Sequence, residues 1–159
     1  MSDIAAISGA TLHDLEKAML QLKQEDQHLA HFFLDGLYIR SLFIPKGSLV
    51  VGKRHRKESI NVVLNGKVSI YTDVDGKPVR QNEAPDIKKI IGPDIFVTKP
   101  NSKKMIYAHE DTLFCNVHQT ASTNLIEIEK EVIIPEQEYL DYMAASAISY
   151  DKEAKQCHG

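Results

Sequence analysis

Residues 47–66 read GSLVVGKRHRKESINVVLNG and contain the pattern that decides the fold. The segment INVVL is rich in β-branched residues, which indicates a strand, and Asn65-Gly66 after it is a strong hairpin-turn signal. Five basic residues, KRHRK at positions 53–57, stand just before this strand. Such a run is either a solvated or charge-protected edge segment or part of an anion site, and both interpretations stay open at this point.

Strand patterns continue on both sides of this stretch. LYIRSLFI precedes it, KVSIYTDV follows Asn65-Gly66, and Asp75-Gly76 is a second hairpin signal, so we expect an antiparallel meander here. Further short strands are predicted at residues 88–91, 94–97, 104–109 and 112–118. So many short strands in one small domain predict a mainly β barrel or a double-sheet jelly roll.

Helical patterns flank the strands. Thr11 and Asp14 form a capping box before an amphipathic helix with Leu12, Leu15, Met19 and Leu22 on one face. A second helix is predicted over 124–133 and a third in EQEYLDYMAASAI after Pro135. We therefore expect an N-terminal helical extension over 1–33, a barrel over 34–121 and a C-terminal helical tail over 122–159. His28 and His31 would share a helical face, but surface or capping histidines explain them better than a metal pair.

Length and composition limit the class of protein. The 159 residues are enough for one domain with a core, and the formal charge of −3 argues against bulk nucleic-acid binding. Cys115 and Cys157 form no disulfide framework, and no apolar run reaches membrane-spanning length. The N-terminus lacks the pattern of a secretory signal, so a bacterial cytoplasm is the expected location.

The segments GLYIRSLFIPKGSLVVGKRHRKESINVVLNGKVSIYT and FVTKPNSKKMIYAHEDTLFCNVHQTASTNLIEIEKEVIIPE resemble small cupin-like proteins of phages and prophages. The resemblance covers roughly Leu34 to Pro135 and rests on GK-x-H, a following inward Asn, YAHEDT and a helix that begins with TNL. It implies a cupin-type double-stranded β-helix, a fold that hosts enzymes and pure binding proteins alike.

The resemblance also implies where metal ligands would stand. A typical metal-binding cupin supplies two histidines and a glutamate from its first motif and one histidine from its second, and the matching positions here are Lys53, His55, Ser59 and Met105. Because only His55 remains, we expect no cofactor. A divalent transition metal stays the alternative, held by His55, His109 and His118.

Strand alternation predicts which side chains line the barrel. With His55 inward, Lys53, Lys57, Ser59, Asn61 and Val63 point inward too, whereas Arg54 and Arg56 point outward. Met105, Tyr107 and His109 share one face of a later strand, and the closing strand adds either Asn116 and His118 or their neighbours, depending on its register. The predicted ligand-binding set for a small anion, such as a nucleotide, a sugar phosphate or a dicarboxylate, is Lys53, His55, Lys57, Asn61, Tyr107 and His109.

Three functions follow as alternatives. The first is a non-catalytic binding protein, with no catalytic residues, that captures a small anionic ligand as a homodimer in the phage-infected host. The second is a metal-assisted enzyme of the isomerase, lyase or dioxygenase type. The third is a virion-associated structural or assembly protein. Plain structural roles compete with these: His109 as a turn residue, and Asn61, Tyr107 and His118 as buried polar groups satisfied by backbone.

Overall fold

The structure of the chain is a computed structural model that describes residues 11–24, 28–73, 87–142 and 144–145. These residues form short strands between terminal helices. The strands are β1 Leu29–Leu34, β2 Leu37–Ile44, β3 Leu49–Val51, β4 Arg54–His55, β5 Ser59–Asn65, β6 Lys67–Asp73, β7 Ile87–Ile91, β8 Asp94–Thr98, β9 Lys103–Ala108, β10 Thr112–Gln119 and β11 Ile133–Ile134. The helices are α1 Leu12–Met19, α2 Leu125–Val132 and, over 136–142, α3.

The strand pairs are nested along the chain. β6 pairs with β7, β5 with β8, β3 with β9 and β2 with β10, all antiparallel. Successive pairs fall alternately into a four-stranded sheet, β3-β9-β6-β7, and a five-stranded sheet, β1-β2-β10-β5-β8. A two-stranded ribbon wound in this way is a double-stranded β-helix, so the mainly β fold expected from the sequence is confirmed.

The inner faces of the two sheets enclose the apolar core. Period-two alternation sends every second residue of each strand inward, and β-branched and aromatic side chains fill that space. The buried members are Leu42, Ile44, Val63, Val68, Ile70, Ile90, Ile106, Ala108 and Phe114.

The predicted capping box starts α1. The Thr11 hydroxyl accepts a hydrogen bond from the Asp14 N–H at 3.1 Å, and the Asp14 carboxylate accepts one from the Thr11 N–H at 3.1 Å. The helix ends at Met19, so Leu22, expected on its apolar face, lies beyond it and is exposed. α1 packs beside β3 and β9 through buried Leu12.

The C-terminal helices close the molecule at two places. Asn124 caps α2, and Ile128 and Val132 of that helix pack on Tyr38 of β2. α3 lies against Arg54, whose guanidinium stands 3.9 Å from the centre of the Tyr139 ring. The helices predicted at both positions are confirmed.

Two local predictions were wrong. Residues 29–33, which we expected within a helical extension, belong to strand β1, because Gly36 at φ +77° turns the chain back and lets β1 pair with β2. Asn65-Gly66 is a turn, but it joins β5 of one sheet to β6 of the other rather than closing a hairpin. Gly66 has φ +93°, and a Cβ there would lie 2.2 Å from the Thr112 hydroxyl. The turn predicted at Asp75-Gly76 lies outside the described residues.

Candidate functional site

A cavity of about 490 Å³ lies between the sheets, on the side where β2 faces β3 and β9. α1 and residues 20–24 form a further wall. This volume is within the range of small-molecule sites. The strand residues around the cavity include apolar, basic and amide side chains: Arg40, Leu42, Ile44, Val50, His55, Lys104, Ile106, Phe114 and Asn116.

Arg40 and Lys104 bring positive charge into this cavity. Arg40 is half-buried on β2 between Tyr38 and Leu42, and Lys104 of β9 is only 6% exposed. Among the described residues, neither side chain has a hydrogen-bond or ion-pair partner. Burial lowers the pKa of Lys104 to about 8. Two unpaired cationic groups in one cavity form an environment suited to an anion.

His55 and His118 lie side by side next to these cations. Their ring centroids are 5.0 Å apart, and both side chains are buried. Burial, together with the charges of Lys104 and Arg40, lowers the pKa of His55 to about 3 and that of His118 to about 4. Both imidazoles are therefore neutral near pH 7. His55 Nδ1 is buried and has no hydrogen-bond partner among the described residues.

A second, smaller cavity of about 190 Å³ is lined by both histidines, of which His55 also lines the larger cavity. The Tyr38 ring stacks on His118 with centroids 6.0 Å apart, and the Tyr38 hydroxyl lies 2.8 Å from His31 Nδ1. α2 closes this side through Ile128 and Val132. His31 thus lies on strand β1, where it is hydrogen-bonded to Tyr38 of β2, and it is not part of a helical pair with His28.

Glu16 of α1 is the acidic side chain among the described residues that line the larger cavity. Its carboxylate binds Lys103 at 2.5 Å and Lys53 at 3.3 Å. Burial raises the pKa of Glu16, but these two lysines outweigh that effect and the pKa is lowered. The Glu16 charge is therefore already balanced by lysines other than Lys104.

Asn61 and Asn116 form an amide pair on the inner face of the five-stranded sheet. Asn116 donates to Asn61 Oδ1 at 2.7 Å, and Asn61 donates to the Thr98 hydroxyl at 2.6 Å. Asn61 is fully buried and does not line the cavity, whereas Asn116 does. Asn61 points inward as predicted, but side chains satisfy it, and its direct effect is to orient Asn116.

Lys57 does not point into the barrel, and Lys53 lines the cavity only from its rim, which corrects the prediction from strand alternation. The Lys53 side chain is 57% exposed at the rim beside Glu16, and the Lys57 side chain is 53% exposed and pairs with Glu131 at 2.7 Å. Arg54, expected outside, is buried and binds Asp73 at 2.8 Å, while Arg56 is outside as expected. The reason is that 49–65 is not one strand: β3, β4 and β5 are separated by residues 52–53 and 56–58, so alternation does not carry across.

Tyr107 and His109 also lie away from the cavity. Ile106 and Ala108 form the inward face of β9, so Met105, Tyr107 and His109 share the opposite face. His109 Nε2 lies 2.7 Å from the Ser69 hydroxyl, and its ring packs edge-on to Tyr107. The structure therefore brings together His55, His118 and Asn116 from the predicted inner set and leaves Tyr107 and His109 outside it.

Arg40 and Lys104 were missed by sequence reasoning, although one of them left a signal. In LYIRSLFI, Arg40 lies on the same strand face as Tyr38, Leu42 and Ile44. Assigning alternate residues to the two faces of this strand would have placed Arg40 inside with them. Lys104 left no such signal, because Lys103 beside it is equally buried on the opposite face, under α1 and α3.

The residues present do not fit the set of metal ligands that the resemblance to cupins implies. His55 and His118 supply two nitrogen donors, but His109 is on another face and the nearby charged groups, Lys104 and Arg40, are cationic. A divalent cation needs further donors, commonly carboxylates, and is repelled by positive charge. In the part of the chain that the structure describes, no group of three or more His, Cys, Asp or Glu side chains is arranged to hold a metal ion.

Comparison with known proteins gives structural neighbours but no sequence relatives. No protein-family model matches the chain, and no curated protein matches it. A protein with a double-stranded β-helix domain from Klebsiella pneumoniae is 11% identical with a TM-score of 0.49, and the match covers 65% of this chain and 84% of that one. A cupin superfamily protein from Desulfitobacterium hafniense is 10% identical with a TM-score of 0.44, covering 62% and 83%.

A third neighbour, an RmlC-like cupin family protein with a double-stranded β-helix fold from Methanocaldococcus jannaschii, is 12% identical with a TM-score of 0.44, covering 63% of this chain and 87% of that one. The Desulfitobacterium and Methanocaldococcus neighbours are cupin proteins. The nested strand pairs of this chain show by themselves that its fold is a double-stranded β-helix. Among the described residues, no helix is long and apolar enough to cross a membrane.

Proposed function

We propose that this chain is a non-catalytic binding protein whose barrel captures a small anionic ligand of the nucleotide or sugar-phosphate class. The observation that carries the proposal is the pair of unpaired cationic side chains, Arg40 and Lys104, on the wall of one cavity. Leaving two such charges in a protein interior is costly unless an anion compensates them. Neutral His55 and Asn116 add directional hydrogen bonds for the polar body of the ligand.

Calorimetry with AMP, ribose 5-phosphate and inorganic phosphate tests this function. We expect at least one of the three to bind, and we expect Lys104→Gln and Arg40→Gln each to weaken that binding by about tenfold or more, since a charge-assisted contact contributes about 1.5–3 kcal/mol. Lys57→Ala is the matched control, because Lys57 is exposed and paired with Glu131. Equal affinities of wild type, Lys104→Gln and Arg40→Gln would refute the site.

The metal-assisted enzyme remains the second candidate because His55 and His118 are adjacent. Native mass spectrometry of protein purified without chelators separates the two. Added mass of a transition metal on wild type, absent from His55→Ala, would favour the enzyme. Added mass of a small organic anion would favour the binding protein. A ligand-free, high-order assembly would favour the virion-associated structural role.

We further propose that the molecule works as a homodimer. The outer face of the five-stranded sheet carries an apolar row across all five strands, and no described element packs on it: Phe32, Ile39, Val117, Ile60 and Val97 are register partners. Phe32, Ile60 and Val97 are exposed by 56%, 44% and 62%. A second copy presents the same flat apolar face, so pairing the two faces removes both from water.

The biological setting that we propose, a phage or prophage accessory protein acting in the host cell, is supported only by the sequence resemblance over Leu34 to Pro135. In that setting, capture of a host nucleotide signal or metabolite is the role that a basic, ligand-sized cavity suits.

A further inference from the structure

Two adjacent lysines of β9 have different surroundings. Lys103 is 1% exposed and pairs with Glu16 at 2.5 Å and Glu136 at 3.4 Å, as a structural lysine should. Lys104 is 6% exposed, lines the cavity on the opposite side of the strand and has no carboxylate partner among the described residues. Lys104 is therefore a largely buried lysine that lacks the carboxylate partners of Lys103.

Burial of the Lys104 side chain favours its neutral form. Arg40 and His55 line the same cavity, His118 lies beside His55, and Glu16 at the rim is bound to Lys103 and Lys53. Burial lowers the Lys104 pKa to about 8, so a larger fraction of Lys104 side chains than of ordinary lysines carries a free amine near neutral pH. An uncharged primary amine in a protected cavity is a nucleophile toward carbonyl carbon.

We propose that Lys104 forms a reversible Schiff base with a small anionic aldehyde or ketone, the class that includes keto acids and aldose phosphates, while Arg40 binds its carboxylate or phosphate. This inference rests on the proposed anion-binding function and narrows its ligand to carbonyl compounds. Arg40 suits the acidic group because its planar guanidinium makes paired hydrogen bonds to carboxylate or phosphate oxygens. His55 lines the same cavity, and its Nδ1 has no hydrogen-bond partner among the described residues.

The reaction balances without a further reagent. The neutral Lys104 nitrogen attacks the carbonyl carbon, a C–N bond forms, and the C=O π bond opens to give a carbinolamine. Loss of water then leaves a protonated imine. Overall, one ammonium and one carbonyl give one iminium and one water, so no proton is gained or lost and no electron is transferred. Hydrolysis reverses each step and releases the carbonyl compound unchanged, which makes this capture rather than turnover.

Reductive trapping tests the inference on the full chain. Wild-type protein is incubated with glyoxylate or ribose 5-phosphate and sodium cyanoborohydride, and intact mass and peptide mapping follow the adduct. We expect one adduct per chain on Lys104, at carbonyl concentrations about tenfold below those that label exposed Lys46 or paired Lys103. Propanal, which lacks the anionic group, should lose this preference. Labelling of Lys104 no faster than Lys46 would overturn the inference.

The variant Lys104→Arg tests the nucleophile directly. Arginine keeps the positive charge but has no primary amine, so we expect Lys104→Arg to lose the trapped adduct. Wild type that binds the probe without an adduct would refute the Schiff base and leave anion capture standing. Wild type that neither binds nor traps would refute both. The wild-type peptide map decides the matter even where the arginine variant fails to fold.

Discussion

Burial of Lys104 lowers the free energy of unfolding. The pKa of its ammonium falls from 10.5 to about 8 on burial, and a gap of this size corresponds to on the order of 3 kcal/mol of lost stability at neutral pH. Lys103 next to it escapes that cost through Glu16 and Glu136. A lysine kept at such a cost is characteristic of a functional site.

The variant Lys104→Met should therefore be more stable than wild type, by about 1–3 kcal/mol in urea unfolding at pH 7, while losing anion affinity. Wild type binds fewer protons than its unfolded chain between pH 8 and 10.5, so its stability rises in that window and the advantage of the variant shrinks. Exposed Lys89→Met is the control and should match wild type at each pH. A less stable Lys104→Met would mean that the lysine has a structural role.

Among single residues, the sequence predicts part of the candidate site. The inward position of His55 follows from the resemblance to the first cupin motif, and those of Asn116 and His118 follow from alternation along the closing strand. Lys57 points away, and Lys53 reaches only the rim of the cavity, because two short breaks, at 52–53 and 56–58, reset the phase between β3, β4 and β5. Lys104 is not visible in sequence because both faces of β9 are covered, so both Lys103 and Lys104 are buried.

Among the elements, α1 is the one that links the cavity wall to the sheet. Glu16 holds it through Lys103 and Lys53, and the same helix lines the cavity. Removing that carboxylate leaves buried Lys103 with Glu136 alone, at 3.4 Å. Since an under-compensated buried charge is costly, the helix and the cavity wall should loosen together.

We expect Glu16→Ala to lower the free energy of unfolding by about 1–3 kcal/mol and to speed amide hydrogen exchange in residues 12–19. Ligand dissociation should also accelerate, because α1 forms part of the cavity wall. Lys17→Ala, exposed on the same helix, should stay within about 0.5 kcal/mol of wild type. If the two variants exchange alike, Glu16 does not anchor α1.

The positions of the helices and strands were easier to predict from the sequence than the pairing of the strands. The capping box of α1, the Asn124 start of α2 and strands β7 to β10 follow from local signals that act within a few residues. The pairing of β5 with β10 and of β6 with β9 does not, since Asn65-Gly66 reads as a hairpin by itself. The chain changes sheet at Gly66, where the backbone packs tightly against Thr112, a residue remote in sequence.

In the molecule as a whole, cationic side chains line an interior cavity and apolar side chains form a row on an outer face. Cations occupy the cavity between the sheets, while the outer face of the five-stranded sheet carries the apolar row from Phe32 to Val97. On that face, Ile95 and Val97 are more than half exposed, at 67% and 62%. Exposed apolar rows of this extent mark interaction surfaces, and an uncovered flat sheet favours aggregation.

A lysine at the end of this row should split the proposed homodimer. We expect wild type to sediment at about twice the chain mass of 17.9 kDa, and Val97→Lys to sediment as a monomer, since pairing two apolar faces would bury an unpaired charge from each copy. Lys89→Glu, on the outer side of the four-stranded sheet, is the control and should remain dimeric. Because the cavity lies on the opposite side of β2 from this row, the Val97→Lys monomer should keep its anion affinity. A wild type that sediments as a monomer would show that this face is not where two copies meet.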